Sequence, residues 1–160
     1  MQKKLGPKEK GDVDKAINRI SKYKVLKKDK KKKETFINHL LFRDLAQIEP
    51  RVTNANIHTV ELNGERFRPE FFIKGSKNHP LFCVECKKLT DQTAKSRFKE
   101  GLSQALVYST DYKCVLLVFY DFTKGSHYSV RSQKKNSSEN KLIQKLWDMH
   151  RIKVLFVVPQ

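Results

Sequence analysis

The sequence predicts an α/β fold, a central sheet with helices on both of its faces. Three observations predict it. Cys114-Val-Leu-Leu-Val-Phe-Tyr is a continuous apolar run, the pattern of a strand buried on both sides. Leu81 to Lys88, LFCVECKK, reads as a second buried strand, preceded by a turn cluster and a third strand. Between and around these runs lie stretches with apolar residues at helical spacing, near 34–47, 93–109 and 138–150.

The 160 residues suit one domain, or one domain with an arm. Ten Phe, five Tyr and a 38% apolar content are enough for a core. The formal net charge of +17 favours a polyanionic partner, nucleic acid above an anionic membrane surface. No apolar run approaches the roughly 20 residues of a membrane span, and no apolar segment follows the N-terminal lysines as a secretory signal would need. Three cysteines, all in apolar strand-like runs, fit buried thiols in a reducing compartment better than a disulfide framework. These traits together predict a cytoplasmic protein.

Residues 1–33 are set apart as a basic arm and 34–160 as the folded domain. The arm holds fourteen Lys/Arg against four Asp/Glu, so +10 of the +17 lies there. Its first eleven residues, MQKKLGPKEKG, have little to bury and are expected to be disordered. A short helix is expected from Asp12, its cap, with Val13, Ala16, Ile17 and Ile20 on one side. KKDKKKK at 27–33 is either a grip on phosphates or a solvated charge run.

From Glu34 the pattern Phe36, Ile37, Leu40, Leu41, Leu45 and Ile48 predicts an amphipathic helix that stops before Pro50. Glu34 is an ordinary favourable acid at the positive end of that helix, and His39 reads as a surface or boundary histidine. Val52, Ile57, Val60 and Leu62 lead to Asn63-Gly64, a hairpin turn signal, and the chain returns as ERFRPEFFIK. Pro69 cannot donate to a ladder, so it marks an edge, a bulge or the start of an inner strand segment. Glu70 then precedes Phe71, Phe72 and Ile73, unusual company for an acid.

After a turn at 75–80 the chain enters LFCVECKK. Side chains alternate on a strand, so Glu85 and Lys87 share a face with Cys83, while Phe82, Val84 and Cys86 point into a core on the other. Two antiparallel neighbours can bring Glu70 and Glu85 together across the ladder. Two carboxylates that close repel unless a cation or a proton lies between them, and a hard divalent ion such as Mg²⁺ fits. The alternative is that Glu70 pairs with Arg66, Arg68 or Lys87 as surface charge. Cys83-Val-Glu-Cys86 has the spacing of a zinc or redox motif, but residues three apart on a strand face opposite sides and Cys114 lies in another strand, so it is set aside.

Downstream, Asp91 or Thr93 caps a helix with Phe98, Leu102, Ala105 and Leu106 as its apolar stripe. Gln104 and Tyr108 are four apart and share a face. They reach either the site or, for Tyr108, the core. SHYSV at 126–130 reads as a short edge strand and RSQKKNSS as a basic loop. Ser138 is expected to cap a last helix with Leu142, Ile143, Leu146 and Trp147 inward, before a buried strand Val154 to Val158.

These motifs, in this order, resemble the PD-(D/E)xK nuclease superfamily, whose pattern is an acid after a proline in one core strand and an acid-x-Lys in the next. Here they are Pro69-Glu70 and Glu85-Cys86-Lys87. Glu34 matches a helical Glu before the core, and Gln104-Ala-Leu-Val-Tyr108 matches a Gln-x-x-x-Tyr pair in the helix after the second strand. The resemblance spans roughly residues 34 to 120. One position departs: the first acid is usually Asp, and here it is Glu70. The resemblance implies a restriction-endonuclease-like core, a mixed sheet flanked by helices. It also implies a Mg²⁺- or Mn²⁺-dependent nuclease with Glu70, Glu85 and the Cys86 backbone carbonyl as metal ligands. Lys87 would orient the water, and Glu34 would hold a second ion or a bound water.

Through the resemblance DNA is the expected substrate, with junction, repair and restriction roles open. RNA stays open as well, since related RNA endonucleases carry a metal-binding histidine near the first helix, where His39 stands. A homodimer also stays open. Two other classes remain: a non-catalytic nucleic-acid-binding module on the same fold, and an assembly protein that coats nucleic acid. The three residues Glu70, Glu85 and Lys87 together favour the enzyme.

Overall fold

The computed structural model of the protein describes residues 4–48, 51–54, 59–74 and 80–160. Its centre is a five-stranded mixed sheet in the order β1-β4-β5-β6-β7, with β1 at Val52–Asn54, β4 at Phe71–Lys74, β5 at Pro80–Leu89, β6 at Cys114–Asp121 and β7 at Ile152–Val157. β1, β4 and β5 pair antiparallel; β5, β6 and β7 pair parallel. Every residue of β6 is buried, as expected of a central strand covered on both faces.

Helices α1 (Pro7–Ser21) and α2 (Glu34–Ile48) cover one face. There Ile20, Ile37, Leu41 and Leu45 pack with Phe82, Val84, Cys86, Leu116 and Val118. Helices α3 (Ala94–Tyr108) and α5 (Ser138–His150) cover the other face, where Ala105, Tyr108 and Leu146 meet Cys83, Val115, Leu117 and Phe119. The alternation expected along β5 holds. All three cysteines are free and buried.

Asn63 and Gly64, both at positive φ, join β2 (Val60–Leu62) to β3 (Glu65–Phe67). This hairpin forms its own two-stranded sheet. The run expected as one return strand is broken at Arg68-Pro69-Glu70, and β4 joins the main sheet only at Phe71. Proline's missing N–H explains the break. The expected strand residue Ile57, the turn through 75–79 and the stop at Pro50 lie outside the described residues.

Several expectations are corrected. The helix expected from Asp12 begins at Pro7, so residues 7–11 are helical. Pro7 sits in the first turn, Glu9 accepts from the Gly6 N–H at 2.8 Å, and Lys113 pairs with Glu9 at 2.7 Å. Asp12 is not the cap; it pairs with Arg51 at 2.9 Å. α1 packs into the main core through Val13, Ala16 and Ile20.

SHYSV is not a strand. α4 (His127–Gln133) is a helix because the buried Asp121 carboxylate accepts the Ser129 N–H at 2.7 Å, while Gly125 and Ser126 turn the chain at positive φ. Ser137, not Ser138, caps α5. Thr93 precedes α3 without a side-chain cap, and Asp91 instead accepts from the Lys124 N–H at 2.7 Å. Phe36, Leu106 and Leu142, expected on apolar stripes, are exposed. No helix among the described residues is long and apolar enough to cross a membrane.

Candidate functional site

The site forms where β4 starts and β5 continues past it. The β4–β5 register pairs Phe71 with Val84 and Phe72 with Cys83. Extended by one residue, the same register sets Glu70 opposite Glu85. Glu70 is half-buried beside Phe71, and Glu85 and Lys87 are buried on the α3 face of β5. Cys86 turns its thiol into the opposite core, so only its main chain lies on this side.

A chain of charge runs outward from Glu85. Lys87 Nζ donates to Glu85 Oε1 and lies 3.6 Å from Glu100 of α3. Arg97 pairs with Glu100 at 2.7 Å and also with Glu34 of α2. Glu34 in turn accepts the Lys88 N–H, which pins the start of α2 to β5. The expected Glu34 is therefore in the neighbourhood, but its oxygens are occupied by Arg97 and Lys88. The Cα of Gly101 faces Lys87 and Phe119 so closely that a Cβ there would lie 3.1 Å from each, so the glycine gives the lysine its space.

Burial pushes the Glu85 carboxyl up to about 7, although Lys87 pulls it back and Tyr108 helps; Glu70 pushes it further up. Burial also raises Glu70, against the pull of Asn38 and Lys87. Burial alone would favour a neutral Lys87, yet Glu85 in contact, with Glu34 and Glu100 beyond it, outweighs that and holds the ammonium charged. Tyr108 is fully buried next to Glu85 and its phenol is driven far up, so it stays protonated. Tyr108 is a core residue whose phenol lies beside Glu85.

Five buried polar atoms have no hydrogen-bond partner of good geometry among the described residues: on the α3 side Glu85 Oε2, the Tyr108 hydroxyl and Gln104 Oε1, and on α2 both amide atoms of Asn38. Tyr108 lies near enough to steady the Glu85 carboxylate, and Asn38 near enough to steady Glu70, without either pair completing such a bond. Buried polar groups are normally paired, because an orphan costs about 1–3 kcal/mol. Asn38, His39, Thr35, Phe42, Glu70 and Phe71 line a cleft of about 170 Å³ on the α2 side of Glu70, and Glu85 and Lys87 are not part of its lining. His39 is exposed on its wall.

Could these residues hold a divalent ion? Among the described residues no three His, Cys, Asp or Glu side chains converge as a metal-binding group. Glu70 and Glu85, set opposite each other by the extended register and close enough for Glu70 to raise the Glu85 carboxyl, are the two carboxylates available, and the remaining candidate donors are neutral oxygens, those of Asn38 and the β5 main chain. An all-oxygen set with few carboxylates suits Mg²⁺ or Mn²⁺ and does not suit zinc. The orphaned Glu85 Oε2 and Asn38 amide are the atoms such an ion and its waters would satisfy. Glu70 has no ion pair with Arg66 or Arg68 among the described residues, while the charge of Lys87, the third partner that the surface-charge alternative named, does bear on it.

Asn38, Arg97 and Glu100 were not singled out from the sequence. Asn38 lies one turn after Glu34, the spacing that puts both on one helix face, and that was the available signal. Arg97 and Glu100 read as ordinary surface charges of α3.

Compared with known proteins, the chain matches no protein-family model, no curated protein and no solved structure.

Proposed function

We propose that this protein is a divalent-metal-dependent nuclease that hydrolyses phosphodiester bonds, with DNA as the first substrate to test and a restriction-endonuclease-like core. What supports the reading is the contact of Lys87 with the buried Glu85, whose Oε2 has no partner among the described residues, together with the β4–β5 register that, extended by one residue, sets the half-buried Glu70 opposite Glu85.

Glu70 and Glu85 would hold Mg²⁺ or Mn²⁺, with the Cys86 carbonyl and the Asn38 amide as neutral oxygens. The ion, when bound, lowers the pKa of water and neutralises phosphate charge. Lys87 works as a fixed cation, since its neighbours keep it protonated. It orients the attacking water and stabilises negative charge developing on the phosphate, and a general-base role does not fit it. Glu100 and Arg97 hold Lys87 and Glu34 in place, and Tyr108 closes the inner wall against water.

The test is cleavage of labelled duplex, single-stranded and four-way-junction DNA, and of RNA, with and without Mn²⁺. Glu85→Ala and Lys87→Ala should each lower the rate by about a thousandfold, the scale on which losing a transition-state stabiliser acts, while nucleic-acid binding persists. Salt-sensitive binding with no cleavage of any substrate would instead identify a binding module.

A further inference from the structure

We propose that the lysine turn at 27–33 and the exposed Phe36 form a docking rail for one strand of nucleic acid, so that the chain reaches the site as a single-stranded polynucleotide. This rests on the nuclease reading for what happens at the rail's end, but not for the binding itself.

The turn is fixed in place. Lys27–Lys31 form a 3₁₀ turn in which the buried Asp29 accepts the Leu26 N–H at 2.9 Å. The Lys27 N–H donates to the Gln160 carbonyl at 3.2 Å. Lys88, the residue after the site lysine, donates through Nζ to the carbonyls of Lys30 and Lys32, and Lys30 pairs with Asp91 at 3.2 Å. The strand that carries Glu85 and Lys87 thus also holds the turn.

The remaining cations face solvent. Lys27, Lys28, Lys31, Lys32 and Lys33 are exposed and have no carboxylate partner among the described residues. Such a cluster repels itself and is neutralised by phosphates. Lys33 is followed at once by Glu34, which binds β5, so the row of cations leads to the site's edge.

Phe36 says which kind of polynucleotide. It lies in the first turn of α2, 45% exposed, with Lys32 Nζ 5.2 Å from its ring centroid. An exposed aromatic face beside backbone-gripping cations is what stacks an unpaired base, because every base has a π-face to offer. In a duplex that face is already stacked, and its bases lie beyond the reach of a ring on a helix surface.

The experiment measures fluorescence anisotropy of the full chain with labelled oligodeoxythymidine, oligouridine and a duplex of equal length, in EDTA so that nothing is cut. Single strands of DNA or RNA should bind more tightly than duplex. Phe36→Ala should weaken single-strand binding about tenfold without changing its salt slope, and Phe36→Trp should restore it. Lys31, Lys32 and Lys33 together changed to Gln should lower the slope of log K against log salt by about 2. The inference is overturned if Phe36→Ala leaves single-strand affinity unchanged, if duplex binds as tightly, or if polyglutamate competes as well as the oligonucleotides. The two DNA and RNA arms tell which sugar the rail prefers. Rail binding without any metal-dependent cleavage would sink the nuclease and leave the rail; cleavage with a silent Phe36 would do the reverse.

Discussion

Glu85 in the middle of β5 and Asp121 at the end of β6 are both buried carboxylates on adjacent parallel strands, and they are treated differently by their surroundings. Asp121 is fully buried and accepts the Thr123 N–H at 3.1 Å, the Thr123 hydroxyl, and the Ser129 N–H at 2.7 Å. Both of its oxygens are used, and what they hold is local structure: the turn after β6 and the start of α4. Glu85 is as inaccessible, yet only one oxygen is bonded, to Lys87, and the other has no hydrogen-bond partner among the described residues. Saturation with donors fits a carboxylate that holds structure, and the shortage at Glu85 is what the metal-ligand role proposed for it would relieve.

The largest expected effect breaks the structural member of the pair. Asp121→Ala removes the acceptor of two backbone N–H groups and a hydroxyl, with no water able to replace it in a closed core. At about 1–3 kcal/mol for each buried donor left unpaired, urea denaturation should show a loss of about 3–5 kcal/mol, with α4 undocked. A loss under about 1 kcal/mol would mean that Asp121 is no more structural than Glu85.

Glu85 should behave in the opposite sense. Burial pushes its folded carboxyl up to about 7 from the ordinary 4.5. Its contribution to stability is therefore fully present below pH 4.5 and is lost as pH rises through 7, because the folded state resists ionisation. The difference amounts to on the order of 3 kcal/mol at 1.36 kcal/mol per unit. In metal-free buffer Glu85→Gln should lack the fall in stability that the wild type shows between pH 4.5 and 7, with its overall level lowered by the Lys87 ammonium left without a carboxylate. Parallel stability profiles of the two proteins across that range would show that Lys87 already satisfies the acid, and the contrast with Asp121 would collapse.

How much of this contrast was legible beforehand follows from the range of the interactions involved. The shared face of Glu85 and Lys87 was legible because strand alternation is local, and the hairpin at Asn63-Gly64 because turn chemistry is local. α1's start was written in Pro7 and Glu9, but a lysine-rich composition outweighed two good helix-start residues. SHYSV alternates like an edge strand; what makes it helical is an acceptor on Asp121, whose position depends on β6 being a central strand. Asn38 and Arg97 acquire a role only once α2 and α3 are laid against opposite faces of β5, a juxtaposition of residues more than fifty positions apart in sequence. Phe36 had the right spacing for the apolar side of α2, and only the packing of that helix on the sheet turns it outward.

The smallest expected effect tests whether the site's geometry is as tightly held as its charge. Gly101 sits mid-helix, where Ala is favoured by about 1 kcal/mol. A Cβ there would lie 3.1 Å from Lys87 Cγ and from Cε1 and Cζ of Phe119. Phe119 cannot give way, since its ring is stacked between Phe98 at 4.8 Å and Phe156 at 5.5 Å. Overpacking costs about 1–3 kcal/mol, so Gly101→Ala should come out destabilised by about 1 kcal/mol despite the better helix former. The part that yields is the Lys87 side chain, pressed away from α3 against Glu85. Any metal-dependent cleavage should then fall further than so small a stability loss accounts for, measured at a temperature where both proteins are fully folded. An Ala variant that is more stable than wild type and equally active would mean that Lys87 moves freely in its pocket, and that the ammonium is a loose counter-charge rather than a positioned one.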